Sequence, residues 1–213
     1  MCRLLLVCSE QEFDIGEVLP RFADIAKNSK EYQGHGWGCA YRQRGEWQLY
    51  KTVTPIWEDD VTRFGRTRLL LAHARSAFQN RGIVVDNNMP FSDGGWMFAF
   101  NGELRGVRLR ETGRTGAEKI FRLIRRLDRG DARAALQQAA SILERRSRYI
   151  RAMNLIMTDG RQAIAMCYFN EDPDYFTMHY RQRDGRLIIC SEPLTDEPDW
   201  LPMHSKQIEV FLC

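Results

Sequence analysis

The 213-residue sequence predicts an α+β protein, a four-layer αββα sandwich of two largely antiparallel sheets. Asp159-Gly160 and Asp184-Gly185 each divide two strand-like runs, and Asp-Gly is the strongest short-range signal for a tight antiparallel hairpin. The runs themselves, such as residues 162–169 (QAIAMCYF), are nearly unbroken apolar segments. Such strands are buried on both faces, by a second sheet on one side and helices on the other. Stretches of helical periodicity between the runs supply the outer layers.

The first strand is the apolar run 4–7, just behind Cys2. Within 17–29, Val18, Leu19, Phe22, Ile25 and Ala26 recur at the spacing of one helix face. Two short strands, 37–41 and 47–53, are joined by a polar Arg-Gly-Glu turn, and 68–74 is a third, almost wholly apolar one. Residues 79–95 carry Asn, Asp, Gly and Pro and are expected to be mostly loop. The strand 96–100 is expected to stop at Asn101-Gly102, a pair suited to positive φ. Helices follow at 117–127 and 132–145, then strands at 152–157, 163–169, 176–180, 187–190 and 208–212. With no internal repeat, low-complexity tract or linker, residues 1–213 are expected to form one domain.

A hydrophobic share of 44% and a charged share of 28% exclude a disordered chain. The longest apolar runs, 4–7 and 69–72, are far short of the roughly 18 residues a membrane helix needs. Glu10 and Glu12 follow the first run too soon for a signal peptide, so cytoplasmic residence and no membrane partner are expected. The six cysteines include no C-x-x-C pair and no Cys/His cluster at zinc spacing, so no metal and no cofactor are expected. A net charge of +3 does not call for a nucleic-acid partner. Arg122, Arg125, Arg126, Arg129 and Arg133 crowd one helical region without interleaved aromatics, the pattern of a solvated helix face. A docking surface for an acidic protein is the sharper alternative.

Four pieces carry chemistry: Cys2 at the start of a strand, the glycine-rich segment 34–38 (GHGWG), residues 72–75 (AHAR) at the end of a strand, and 98–102 (FAFNG). In this order they resemble the class II glutamine amidotransferases, members of the N-terminal nucleophile (Ntn) hydrolases. The opening MCRLL looks most like the small stand-alone branch, which includes a γ-glutamyl amide hydrolase, and the resemblance extends to residues 190–195 (CSEPLT). It implies an Ntn-hydrolase fold and hydrolysis of a γ-glutamyl-type amide through a thioester. The expected partner is a small-molecule amide, with a partner synthetase or a homo-oligomer left open.

The residue chemistry agrees. A cysteine thiol titrates near pH 8.5 and an α-amine near pH 8, so with Met1 removed one residue supplies both nucleophile and base. The tetrahedral oxyanion needs donors fixed in advance, which the Asn101 side-chain amide and the Gly102 N–H can offer. The planar fork of Arg75 matches the α-carboxylate of a γ-glutamyl group. Gly36, with Gly34 and Gly38, lets a loop pass close to the site, and Trp37 in that loop is either a substrate-binding residue or simply core. His73, on an apolar strand, is expected to be a core histidine with its hydrogen bonds satisfied.

Three positions depart from the family pattern. Gly116 stands where an Asp normally receives the α-ammonium of glutamine, although Thr115 and Glu118 keep the spacing of a helix capping box. The family's His-Pro-Phe loop appears as residues 88–91 (NMPF), and Phe100 replaces a histidine before the Asn-Gly pair. Loss of a buried charge partner costs an ammonium about 2–5 kcal/mol of binding. Either substrate recognition is altered, or the protein is catalytically silent and uses the cleft for binding or regulation.

Overall fold

A computed structural model describes residues 1–213. Its elements are β1 (Arg3–Asp14), α1 (Ile15–Lys27), β2 (Trp37–Gln43), β3 (Glu46–Thr52), β4 (Arg66–Ala74), β5 (Phe91–Asp93) and β6 (Trp96–Arg105). There follow α2 (Gly116–Leu127), α3 (Ala132–Arg146), β7 (Tyr149–Thr158), β8 (Gln162–Cys167), α4 (Pro173–Phe176), β9 (His179–Arg183), β10 (Arg186–Cys190), β11 (Leu201–Pro202) and β12 (Gln207–Leu212). A seven-stranded sheet runs β11-β9-β10-β1-β4-β2-β3 and a five-stranded sheet runs β12-β8-β7-β6-β5. All strand pairs are antiparallel, as the Asp-Gly turns predict.

Side-chain alternation along β1 explains its unbroken apolar run. Leu4, Leu6 and Cys8 enter the large core shared with the second sheet, while Leu5 and Val7 join a separate core beneath α1. β4 divides in the same way, Leu69 and Leu71 inward and Leu70 and Ala72 toward α1. On the far side, Ile120, Phe121 and Ile124 of α2 and Leu136 and Leu143 of α3 cover the five-stranded sheet. The four layers are therefore those expected from the sequence.

The helices start where their side chains can satisfy backbone donors. Asp14 accepts the Gly16 N–H at 2.8 Å, Thr115 accepts that of Glu118 at 3.1 Å, and Asp131 accepts that of Ala134 at 2.9 Å. The expected capping box is only half formed, because the Glu118 carboxylate turns back to the Arg114 N–H at 2.7 Å. The arginine-rich helix matches the solvated-face reading: Arg122 pairs with Glu118, Arg125 with Asp128 and Arg126 with Glu111.

Three local expectations are corrected. β6 does not stop at Asn101-Gly102 but continues to Arg105, because β7 pairs with it throughout and overrides the turn propensity of Asn-Gly. Gly102 is needed for space and not for positive φ: a Cβ there would lie 2.3 Å from the Ala152 carbonyl oxygen. Phe176 closes a helical turn started by Pro173, and the strand begins only at His179. Asp93 ends a short strand inside the segment expected to be loop.

Phe98 is fully buried and stacks on Phe121 at 4.7 Å between ring centroids, joining the five-stranded sheet to α2. Phe98→Ala is expected to lower the unfolding free energy by about 3–5 kcal/mol, whereas Val210→Ala on the exposed edge strand stays within about 0.5 kcal/mol. Urea unfolding of the two variants checks this.

Candidate active site

The site forms where the start of β1 meets the end of β4. Arg3 is opposite Ala74 in the ladder, so Cys2 and the residues just after Ala74 become neighbours. The Ser76 N–H donates to the Cys2 sulfur at 3.4 Å, and the thiol points back to the Ser76 carbonyl at 3.6 Å. On the other flank, the Leu4 N–H donates to the Ser191 hydroxyl at 2.9 Å and the Ser191 N–H returns to the Leu4 carbonyl at 3.0 Å. Arg3 adds a 2.7 Å ion pair to Glu192. Burial pushes the Cys2 thiol up, against the pull of the Met1 ammonium, the Ser76 amide and Arg75. A thiol in this setting needs a base to become a nucleophile.

Arg75 is buried among neutral partners. Its guanidinium donates to the Asn88 side-chain oxygen and to the Gly82 carbonyl, both at 2.9 Å, and it forms no ion pair. Asn88 is fixed in turn by donating to the Thr52 carbonyl at 2.5 Å. Gly36 supports this end of β4 from behind, accepting the Arg75 N–H at 2.9 Å. Its φ of 103° and the 2.3 Å approach of a Cβ to the Thr52 carbonyl leave no room for another residue.

The second sheet faces this corner through β6. Phe98 points to α2, so Asn101 and Glu103, an odd number of residues away, belong to the opposite face, toward β1 and β4. Asn101 is fully buried, and neither its oxygen nor its NH2 has a hydrogen-bond partner in the protein. Gly102 lies opposite Met153, whose N–H is directed to Tyr168 on the other side of β7. In an antiparallel ladder that makes Gly102–Met153 a non-bonded pair, with the Gly102 N–H aimed away from β7. β5 pairs only with residues 96–98, so that N–H meets an open strand edge.

A cleft of about 560 Å³ joins these parts, with Cys2, Arg75, Gly102, Phe100 and Gly116 in its wall. Asn101 lies behind the wall, and Gly36 is outside it. Trp37 is corrected: its indole sits in the core under α1, packed on Tyr50 and Phe64 and donating to Asp59 at 2.9 Å. It does not border the cleft, because the alternation of β2 turns it to the opposite face of the sheet.

Several groups had no sequence signal. The Met1 ammonium is bound by Glu31, and the Met1 carbonyl accepts from Gln33 and, at 3.0 Å, from the Tyr175 hydroxyl. Arg151 braces this cradle through Glu31 at 2.8 Å and Asp172 at 2.5 Å. Burial alone would raise the Glu31 carboxyl, but the Met1 ammonium and Arg151 hold it below its ordinary value. These residues come from distant parts of the chain, and no local motif announces them.

The family model for class-II glutamine amidotransferases matches residues 1–184. The chain belongs to this family. It is 27% identical over 158 residues to the Escherichia coli (strain K12) protein named "Putative glutamine amidotransferase YafJ", covering 63% of this chain and 61% of that one. It is 32% identical over 71 residues to the γ-glutamyl-hercynylcysteine sulfoxide hydrolase of Mycobacterium tuberculosis (strain CDC 1551 / Oshkosh), 32% of this chain and 30% of that one. The chain thus spans less than two thirds of the length of either curated relative. A solved class-II glutamine aminotransferase domain protein from Silicibacter pomeroyi superposes with a TM-score of 0.69 at 19% identity, over 99% of this chain and 94% of that one. That likeness concerns the fold alone. No helix of the chain is long and apolar enough to cross a membrane.

His73 is a core residue, as expected, but its ring nitrogens make no hydrogen bond. Burial, with Arg75 next, lowers its pKa to about 3. The folded protein therefore keeps the ring neutral, while the unfolded chain takes up a proton below about pH 6.5. This contribution to stability is intact above pH 6.5 and is lost as the pH falls toward 3. His73→Leu is expected to reduce the loss of unfolding free energy between pH 7 and pH 5 by about 2 kcal/mol, measured by urea titration at both values.

Proposed function

We propose that the chain is an N-terminal cysteine amidohydrolase that cleaves a γ-glutamyl-type amide once Met1 has been removed. One observation supports this above the others: Cys2, a buried guanidinium without an anionic partner, and the open-edge Gly102 N–H share one cleft, beside the unpartnered Asn101 amide. Buried polar groups normally have partners, so orphaned ones at a cleft mark a place for ligand atoms. The hydrolase named among the relatives, a γ-glutamyl amide hydrolase, fits the same reading.

In this mechanism the free α-amine of Cys2 takes the thiol proton, and the sulfur attacks the amide carbonyl carbon. The carbonyl π pair moves to oxygen, where the Asn101 NH2 and the Gly102 N–H receive the developing charge. Collapse breaks the C–N bond, and the amine leaves with the proton held by the α-ammonium. Water then attacks the thioester, giving one proton to the Cys2 α-amine, and as the S–C bond breaks the α-ammonium returns that proton to sulfur, restoring the thiol and releasing a carboxylic acid. Arg75 holds the distal carboxylate throughout, by two parallel hydrogen bonds.

A second reading rests on the cradle around Met1. If Met1 stays in place, the nitrogen of Cys2 belongs to a peptide bond and is no base, and the cleft serves binding or regulation.

Cys2→Ala is expected to abolish release of amine from a γ-glutamyl-type amide while leaving the circular dichroism spectrum and thermal midpoint unchanged; full activity in the variant would remove Cys2 from the mechanism. The intact mass of protein from its native host is expected to lack Met1, and retention of Met1 in active protein would rule out the α-amine as base. Arg75→Lys is expected to raise KM by about tenfold or more with a smaller change in kcat, because an ammonium cannot reproduce the bidentate fork.

A further inference from the structure

The charges around the cleft specify more than a γ-glutamyl group. Its unpaired charges are positive: Arg75 has neutral partners only, and Arg81 and Lys119 take part in no ion pair. The single carboxylate in the wall, Glu103, is engaged by Arg105 at 2.5 Å and lies 3.9 Å from Arg151. Glu118 lies on the first turn of α2 but points elsewhere, bound to Arg114 and Arg122 at 3.2 and 3.1 Å. Glu31 is outside the wall, and with Met1 removed it keeps Arg151 as its partner.

In glutamine the α-ammonium and α-carboxylate share one carbon. A carboxylate seated on Arg75 would therefore carry an ammonium into a cleft whose one carboxylate, Glu103, is already engaged by Arg105. The nearby start of α2 makes matters worse, because Gly116 and Ala117 border the cleft and present the positive end of the helix dipole. At Gly116 a Cβ would meet nothing within 4 Å, so the wall there is open space and not an ammonium site. Phe100, Leu104 and Ile120 give the remaining wall an apolar surface suited to methylenes or an acyl cap. An uncharged substituent, or none, fits beside the seated carboxylate; a cation does not.

From this we infer that the cleft selects ω-amides of dicarboxylic acids that carry no free ammonium beside the distal carboxylate. The inference rests on the proposed amidohydrolase reading and names its substrate class. The reaction is the one written above, with the carbon next to the distal carboxylate bearing hydrogen, an oxo group or an acylated nitrogen. Cys2 acts on the far carbonyl in every case.

The test compares two anilides with the same leaving group, glutaric acid mono-p-nitroanilide and L-γ-glutamyl-p-nitroanilide, by release of p-nitroaniline from the Met1-free protein. The expected result is a kcat/KM about tenfold or more higher for the glutaryl compound. Gly116→Asp, which has open space for its side chain and is favourable at a helix N-terminus, is expected to shift that ratio toward the γ-glutamyl compound by a similar factor. Equal or preferred cleavage of the γ-glutamyl compound, lost on Cys2→Ala, overturns this inference and leaves the amidohydrolase reading standing. No Cys2-dependent release from either compound overturns both.

Discussion

The site depends on one constraint: β1 is the central strand of its sheet and is held on both edges almost to its first residue. β10 pairs with it on one side and β4 on the other, and the paired bonds between Leu4 and Ser191 close the last gap. A chain terminus is ordinarily among the most mobile parts of a domain. Here the second residue is fixed by its neighbours in the sheet, so that a thiol near the terminus can be aimed as exactly located side chains in mid-strand are. Pairing of Arg3 with Ala74 then brings Arg75 and Ser76 next to Cys2 without any loop of adjustable length between them.

Much of this was legible in the sequence, for identifiable reasons. Unbroken apolar runs gave the two-faced strands, and the Asp-Gly pairs gave the antiparallel hairpins, because both signals are local. Asn101-Gly102 misled for the same reason. As a local signal it reads as a turn, but pairing with β7 carries the strand onward, and the glycine answers to the approach of the Ala152 carbonyl. Trp37 was misassigned because a sequence neighbour of Gly36 need not share its face of the sheet. His73 could be recognised as buried, yet nothing in its neighbours shows that its nitrogens lack partners. The cradle formed by Glu31, Gln33, Arg151 and Tyr175 was invisible, since only tertiary structure gathers positions so far apart.

The electrostatics of the cleft trade stability for readiness. A guanidinium placed among neutral partners and an amide left without hydrogen bonds both disfavour the folded state. Large apolar cores on both faces of the seven-stranded sheet carry that burden. The cost falls at the corner where β1, β4 and β6 meet, and an anion entering the cleft would give Arg75 the opposite charge it lacks. That asymmetry, poor solvation when empty and good solvation when filled, is the physical basis of preorganised binding.

The two halves of the proposed chemistry also come from different sheets. The thiol and Arg75 ride on the seven-stranded sheet, while Asn101 and Gly102 ride on β6 of the other. Their separation is therefore set by the side chains packed between the sheets, among them Leu4, Leu6 and Leu71, and not by any loop. Interiors this closely packed resist small changes of volume. A core residue in that layer thus sets the distance between the proposed nucleophile and the proposed oxyanion donors, so under the proposed mechanism a volume change there reaches the reaction even where neither group is touched.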